Sequence, residues 1–257
     1  MHCITLWATF ELSHCHMPDF TQKTVDNNII LFDALLFSDP STCIFEADYW
    51  QSQQCLTGSS TGRGTTYFFK HESKEYVLRH YLRGGLVGKV LDDQYLYSGV
   101  SNTRAWRELH LLAQMRKLVL PVPRPVAAKI DKSLPYYRAD LIIERIEQAR
   151  DVHQLLLQEP LDEKVWRSIG SCIAKFHEQQ VFHHDLNIHN IMLDARQKVW
   201  LIDFDKCEFR PGNSWKEANL QRLKRSLEKE RSINKHYHYQ QDAMQNLLVG
   251  YHDTRVN

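Results

Sequence analysis

Cysteine is scarce and unpaired. Six stand in 257 residues, at positions 3, 15, 43, 55, 172 and 207, with no C-x-x-C pair. That usage excludes a disulfide scaffold and reads as reduced thiols in a cytoplasmic protein. No run approaches the roughly 18 apolar residues of a spanning helix. The start, MHCITLWATFELSHCHM, lacks the basic segment of a signal peptide. No internal repeat and no low-complexity tract is visible. No excess of charge exists either, since 32 Lys+Arg against 31 Asp+Glu leave +1. On its face that total argues against a strongly basic nucleic-acid binder, and no aromatic-interleaved basic stretch contradicts it. What remains is 43% hydrophobic and 25% charged, the composition of a folded globular chain.

The total conceals asymmetry. Residues 1–60 carry one Lys and seven acids, net −6, whereas residues 61–89 and 206–257 each carry net +4. Glycine is equally uneven. Seven of the ten lie between Gly58 and Gly99, three of them in GSSTGRG (Gly58, Gly62, Gly64). The β-rich TTYFF that follows, a turn at HESK and a second strand at EYVLRHY read as a hairpin led by a glycine-rich turn. Residues 103–118 read as a helix capped by Thr103, with Trp106, Leu109, Leu112 and Met115 at a spacing of three. Three prolines in PVPRP force an extended connection. Strands follow at Val126–Ile130 and Ala139–Ile143, and then a long helix from Asp162 with Val165, Ile169, Cys172, Ile173 and Phe176 on one face. A β-rich half therefore gives way near 144–150 to a helical half.

The chemistry concentrates in VFHHDLNIHNIMLDARQKVWLIDFDKC. His183, Asp185 and Asn190 are set among apolar stretches, and bare burial of such groups is costly. Asp185, Asn190 and Asp203 are oxygen donors suited to a hard cation such as Mg²⁺. The histidines His183, His184 and His189 match no zinc pattern, and His183 is read as bracing the loop.

H-x-D-x-x-x-x-N followed by D-F resembles the catalytic loop and metal-binding segment of the protein-kinase-like superfamily. The resemblance implies an α+β, two-lobed fold: an N-lobe antiparallel β-sheet with one main helix, and a mainly α C-lobe truncated after the metal-binding Asp segment. The parts are 1–44, an extension and leading strand region; 45–147, the N-lobe; and 148–257, the C-lobe with catalytic loop and basic terminal helix. It also implies that Asp185 is the catalytic base and that Asn190 and Asp203 hold Mg²⁺. Gly58, Gly62 and Gly64 would cover the ATP phosphates, Arg79 would take the place of the strand lysine, and Glu108 would pair with it. Strand parity leaves Arg79 either a nucleotide clamp or an outward cation. Glu108 could instead pair with Arg104 or Lys117.

The departures carry information. Arginine stands for lysine at 79, His184 for the arginine of H-R-D, and Asp205 for the glycine of D-F-G. Only 52 residues follow Asp205, too few for a peptide-binding kinase lobe. From about Ala47 through Tyr251 the chain is similar to the 3-deoxy-D-manno-octulosonic acid (Kdo) kinases of lipopolysaccharide assembly. The resemblance is carried by GRGTTYF, LRHYLRGGLVGK, H-x-D-L-N-x-H-N-I, LIDFDKC and W-K-x-x-N-L-x-R-L-K-R-S. It implies transfer of the ATP γ-phosphoryl to the 4-hydroxyl of Kdo on a lipid A precursor. Residues 1–16 lie outside it, and Met17 is an alternative start. Arg83 and Lys89 in the glycine-rich loop, with Lys216, Arg222, Lys224, Arg225, Lys229 and Arg231 on an amphipathic helix, suit an anionic partner. Peripheral contact with the inner leaflet, on the cytoplasmic face of the inner membrane, is one reading. A solvated charged face, with Trp215 and the leucines in the core, is the other. No nucleic acid and no protein partner is expected. Competing functions are a soluble small-molecule phosphotransferase of the aminoglycoside or choline kind, and a nucleotide-binding pseudokinase supported by Arg79 and Asp205.

Overall fold

Residues 20–61, 64–82 and 93–254 are described by the structure, a computed structural model. Met17, Gly62, Arg83 and Lys89 lie outside the described residues.

The first half builds one antiparallel sheet. Its elements are β1 (Phe20–Val25), β2 (Asn28–Asp33), α1 (Ala47–Ser52), β3 (Leu56–Thr61), β4 (Thr65–His71), β5 (Lys74–His80), β6 (Tyr95–Leu96), α2 (Arg104–Lys117), β7 (Pro125–Ser133) and β8 (Tyr136–Glu144). Strand order is β1-β2-β7-β8-β5-β4-β3, with β6 also pairing β8. The β1–β2 hairpin, which precedes residue 45, is hydrogen-bonded to β7 and so belongs to the same sheet. Gly58 was expected in the leading turn; it lies inside β3, just past a register irregularity at Leu56/Gly58. A Cβ there would make only ordinary contact with Phe68, so the backbone does not require glycine.

Each face of the sheet carries its own core, as the two-residue period of a strand demands. Trp50, Phe69, Tyr76, Leu78 and Ile142 pack on one side. Ala105 and Leu109 of α2 pack with Ile130, Ala139 and Leu141 on the other. Arg79 pairs across the ladder with Leu141, on the α2 side. The apolar stripe of α2 runs through Ala105, Leu109 and Leu112, and Glu108 sits within it, all buried. Thr103 holds the N-cap position without capping: its hydroxyl donates to the Val100 carbonyl (2.6 Å) instead.

The second half comprises β9 (Arg150–Asp151), α3 (Val152–Leu156), α4 (Glu163–Glu178), β10 (Val181–Phe182), β11 (Ile191–Leu193), β12 (Val199–Leu201), β13 (Glu208–Phe209), α5 (Lys216–Ile233) and α6 (Ala243–Asp253). The fold is α+β and two-lobed, as expected. Helix α4 buries Trp166, Ile169, Cys172, Ile173 and Phe176. It meets α6 closely: a Cβ on Gly170 would stand 1.9 Å from the Leu247 carbonyl oxygen, and one on Gly250 2.0 Å from that of Arg167. Leu220, Leu223 and Leu227 of α5 are buried in the same core. The leucine face of α5 is therefore covered by protein, in line with the reading that placed these leucines in the core.

Candidate active site

Asp185 precedes, and Asn190 ends, a 3-10 turn, Ile188–Asn190, that leads into β11. The antiparallel register Ile191↔Leu201 brings the residues before β11 beside those after β12. The Ile202 N–H closes the pairing by donating to the Asn190 carbonyl (3.0 Å). A short hairpin thus sets Asn190 against the segment entering Asp203. Asp203 has φ of +63°, a left-handed conformation uncommon for a residue with a Cβ. The Asn190 side-chain amide N–H donates to the Asp185 carbonyl (2.9 Å), as does that of Asn187 (3.1 Å). Asn190 therefore keeps its amide oxygen for another partner. An amide oxygen and the carboxylate of Asp203 form a hard-oxygen donor set that fits Mg²⁺.

Above them, Arg79 bridges two carboxylates. Its Nη2 donates to both Glu108 oxygens (2.6 Å each) and its Nη1 to Asp203 Oδ1 (2.6 Å). The parity question resolves: Arg79 faces α2, and Glu108 pairs with it, not with Arg104 or Lys117. The Tyr81 hydroxyl donates to Glu108 Oε2 (2.6 Å). Burial works against the charge on Arg79, but Glu108 and Asp203 outweigh it and hold its pKa well above the ordinary value. Burial raises Glu108 above the ordinary carboxylate range, against the pull of Arg79 and Tyr81. The Arg79 Nε–H is buried and without a partner, a donor left over after the two carboxylates are served.

Asp205, which departs from D-F-G, is held by Arg104: Nε donates to its Oδ1 (2.6 Å) and a second guanidinium nitrogen pairs with Oδ2. Nη1 of Arg104 donates to the Tyr95 hydroxyl (2.5 Å). Here Asp205 is a tie between α2 and the Asp203 segment.

His183 braces the loop. Its Nε2–H donates to the Ile202 carbonyl (3.0 Å), and its ring lies against buried Phe204, with centroids 4.9 Å apart. Burial pushes its pKa down, and Nδ1 is buried without a hydrogen-bond partner. Of the other loop histidines, His184 donates its backbone N–H to Cys207 Sγ (3.2 Å), and His189 Nε2 meets Glu230 Oε1 (3.2 Å).

Helix α5 supplies what the sequence reading missed. Asn219, Arg222, Ser226 and Glu230 recur at spacings of three, four and four, one stripe of a helix. All four reach the catalytic loop. Asn219 Nδ2 donates to the His183 carbonyl (2.7 Å), and Ser226 Oγ accepts the Ile188 N–H (3.1 Å). Arg222 donates from Nε (3.0 Å) and from Nη2 to Asp185 Oδ1. Asn219 also faces His177, whose other ring nitrogen meets the Tyr251 hydroxyl (2.8 Å), so α4, α5 and α6 converge behind the loop. The sequence signal was this polar stripe beside Leu220, Leu223 and Leu227. Arg222 was grouped with the surface cations, whereas the structure places it on the candidate base. Burial pushes the Asp185 carboxyl up, but the hydrogen bonds of Arg222 and Asn187 prevail and leave it below the usual range.

Gly64 lies where β4 begins, against Leu82. An added Cβ at Gly58 would meet Phe68, and one at Gly64 would meet Leu82, neither of them a candidate site residue. A cavity of about 510 Å³ opens at the lobe junction among Arg116, Arg124, Arg145, Lys198 and Trp200, and none of Arg79, Asp185, Asn190 and Asp203 lines it. The site is defined by convergent polar groups, not by the cavity.

The lipopolysaccharide kinase (Kdo/WaaP) family model matches residues 47–251. A 3-deoxy-D-manno-octulosonic acid kinase of Vibrio parahaemolyticus is 50% identical over 204 residues, covering 79% of this chain and 86% of its own. Proteins of the same name from Vibrio vulnificus and Haemophilus influenzae are 44% and 46% identical. They cover 90% and 80% of this chain, and 97% and 88% of their own lengths. An H-x-D-x-x-x-x-N loop, an Arg79–Glu108 pair above it and a family match over most of the sequence coincide in one chain, which belongs to the lipopolysaccharide kinase (Kdo/WaaP) family.

Proposed function

We propose that the protein transfers the γ-phosphoryl group of ATP to the 4-hydroxyl of a Kdo residue carried on a lipid A precursor. The observation that supports the reading is that Asn190, tied to Asp185, and Asp203 meet at the base of the β11–β12 hairpin, with Arg79 joining Asp203 to Glu108. Asp185 accepts a hydrogen bond from the sugar hydroxyl, orients it and takes its proton as the new O–P bond forms. Asn190 and Asp203 hold Mg²⁺, which supplies charge neutralisation on the transferring phosphoryl group. Arg79, fixed by Glu108 and Tyr81, presents a permanent cation to the phosphates of ATP. Gly64, with Gly62 and Gly58, belongs to the loop expected to lie over those phosphates. His183 keeps the Asp185 segment in register with Ile202. Little covalent chemistry is asked of the protein, so positioning and electrostatics supply the rate.

The substrate is an anionic lipid, and no helix among the described residues is long and apolar enough to cross a membrane. Peripheral attachment to the cytoplasmic face of the inner membrane would rest on charge. Arg225 and Lys229 on the outer face of α5 are exposed, with Lys224 beside them.

Incubation with labelled ATP, Mg²⁺ and a Kdo–lipid A precursor, with a protein, an aminoglycoside and water as competing acceptors, tests the reading. Label on the Kdo lipid is expected. Label on another acceptor overturns the substrate, and label on none overturns the activity.

A further inference from the structure

The base of a phosphotransfer site is made weaker by a cation hydrogen-bonded to it, because the cation lowers its proton affinity. Arg222 does this to Asp185: Nε and Nη2 both converge on Oδ1, and neither bond uses Oδ2. Asn187 and Asn190 hold the Asp185 backbone carbonyl, and Arg222 is the side chain on its carboxylate. Both side chains reach solvent, Arg222 at 47% and Asp185 at 38% exposure, so an acceptor can approach them together. The third guanidinium nitrogen, Nη1, has no partner among the described residues. Neither has the ammonium of Lys206, three residues past Asp203. Lys206 directly precedes Cys207, whose Sγ accepts the His184 N–H (3.2 Å) one residue from Asp185, so the segment carrying this ammonium adjoins the base. Arg210 is engaged with Glu208 and lies over Phe182. Arg222 and Lys206 are the cations with donors to spare.

Two carboxylates brought together repel, and a cation shared between them removes the repulsion. An acceptor that carries its own carboxylate beside the reacting hydroxyl would need such a cation. An octulosonic acid fits: the acid carbon is C1, and only C2 and C3 separate it from C4. We propose that Arg222, with Lys206, forms an anion subsite that takes the carboxylate of the acceptor sugar while keeping its hold on Asp185 Oδ1. The subsite rests on the proposed acceptor and deepens it. The guanidinium fork spans the two carboxylates, leaving Asp185 Oδ2 to face the hydroxyl. Arginine is suited to this because it is planar and stays charged.

The test compares a Kdo–lipid A precursor with its C1 methyl ester on wild type and on Arg222→Gln. In wild type the ester is expected to lose about ten-fold or more in kcat/KM, the range of a charged hydrogen bond. In Arg222→Gln the acid should fall to near the ester, and the acid-to-ester ratio should collapse towards one, with the KM for ATP little changed. Circular dichroism of this half-exposed variant checks its fold. An acid-to-ester ratio that is the same in both proteins overturns the subsite, even though the acid is still phosphorylated. If wild type phosphorylates neither compound, the proposed acceptor fails. Calorimetry with free octulosonic acid and its ester then judges the subsite separately: binding that needs both the carboxylate and Arg222 supports it, and binding indifferent to either overturns it.

Discussion

At the scale of single residues, the account places proton acceptance on Asp185. Asp185→Asn keeps the shape and the backbone contacts but cannot take a proton. Its kcat should fall by about 10²–10⁴-fold, with little change in KM for ATP. Near-normal turnover would contradict the assignment. The same residue sets a pH dependence. A base works when deprotonated, and Asp185 is held below the usual carboxylate value. Its protonation therefore produces no loss of kcat/KM between about pH 5 and 8. Arg222→Gln removes the hydrogen bond that lowers it and leaves the burial that raises it, so the acid limb should move to higher pH. A pH–rate profile of both proteins checks this, and an unmoved limb would show that Arg222 does not tune the base. These residue identities were legible because H-x-D-x-x-x-x-N and the later Asp203 obey fixed local spacings. The Asp185–Arg222 contact, across 37 positions, leaves no such trace.

At the scale of elements, α5 is a polar clamp on the catalytic loop as well as a core helix. Asn219 is 2% exposed and satisfies the His183 carbonyl and His177 at once. Asn219→Leu leaves both partners unmet in the interior. It should cost about 1–3 kcal/mol for each group stranded, read as a lowered denaturant midpoint with unchanged slope. Asn219→Asp, which keeps an acceptor for His177 but loses the donor to His183, should fall between; equal stability of all three proteins would remove α5 from this role. Much of the element plan was readable beforehand. Helix α4 follows the expected apolar period, and β4–β5 is the expected hairpin. The strands β7 and β8 run longer than expected because their ends are fixed by pairing with each other and not by composition. The leucines of α5 were ambiguous in sequence, since an apolar stripe opposite a basic one fits a bilayer or a core equally well. Only the three-dimensional neighbours, such as Trp166 and Tyr251 in the same cluster, decide for the core.

At the scale of the whole molecule, the net charge of +1 constrains little, while its distribution bears on the partner. The basic C-terminal segment divides into two groups. Arg222 is turned onto Asp185, whereas Arg225 and Lys229 are exposed, with Lys224 paired to Glu228 beside them. With the leucine face of α5 buried, the proposed contact of this helix with a membrane rests on its charge. Binding to anionic vesicles should fall steeply with salt and weaken further in Lys224→Glu/Arg225→Glu, whereas neutral vesicles should bind neither protein. Salt-independent binding would point to an apolar anchor instead. The central claim is that one hydroxyl of one sugar receives the phosphoryl group. Its most direct test is phosphorus–proton correlation NMR on the product formed from ATP and a Kdo–lipid A precursor. The account predicts a phosphomonoester coupled to the C4 proton of Kdo, and none formed by Asp185→Asn in the same time. Phosphate coupled to any other position, or found only as inorganic phosphate, would contradict it.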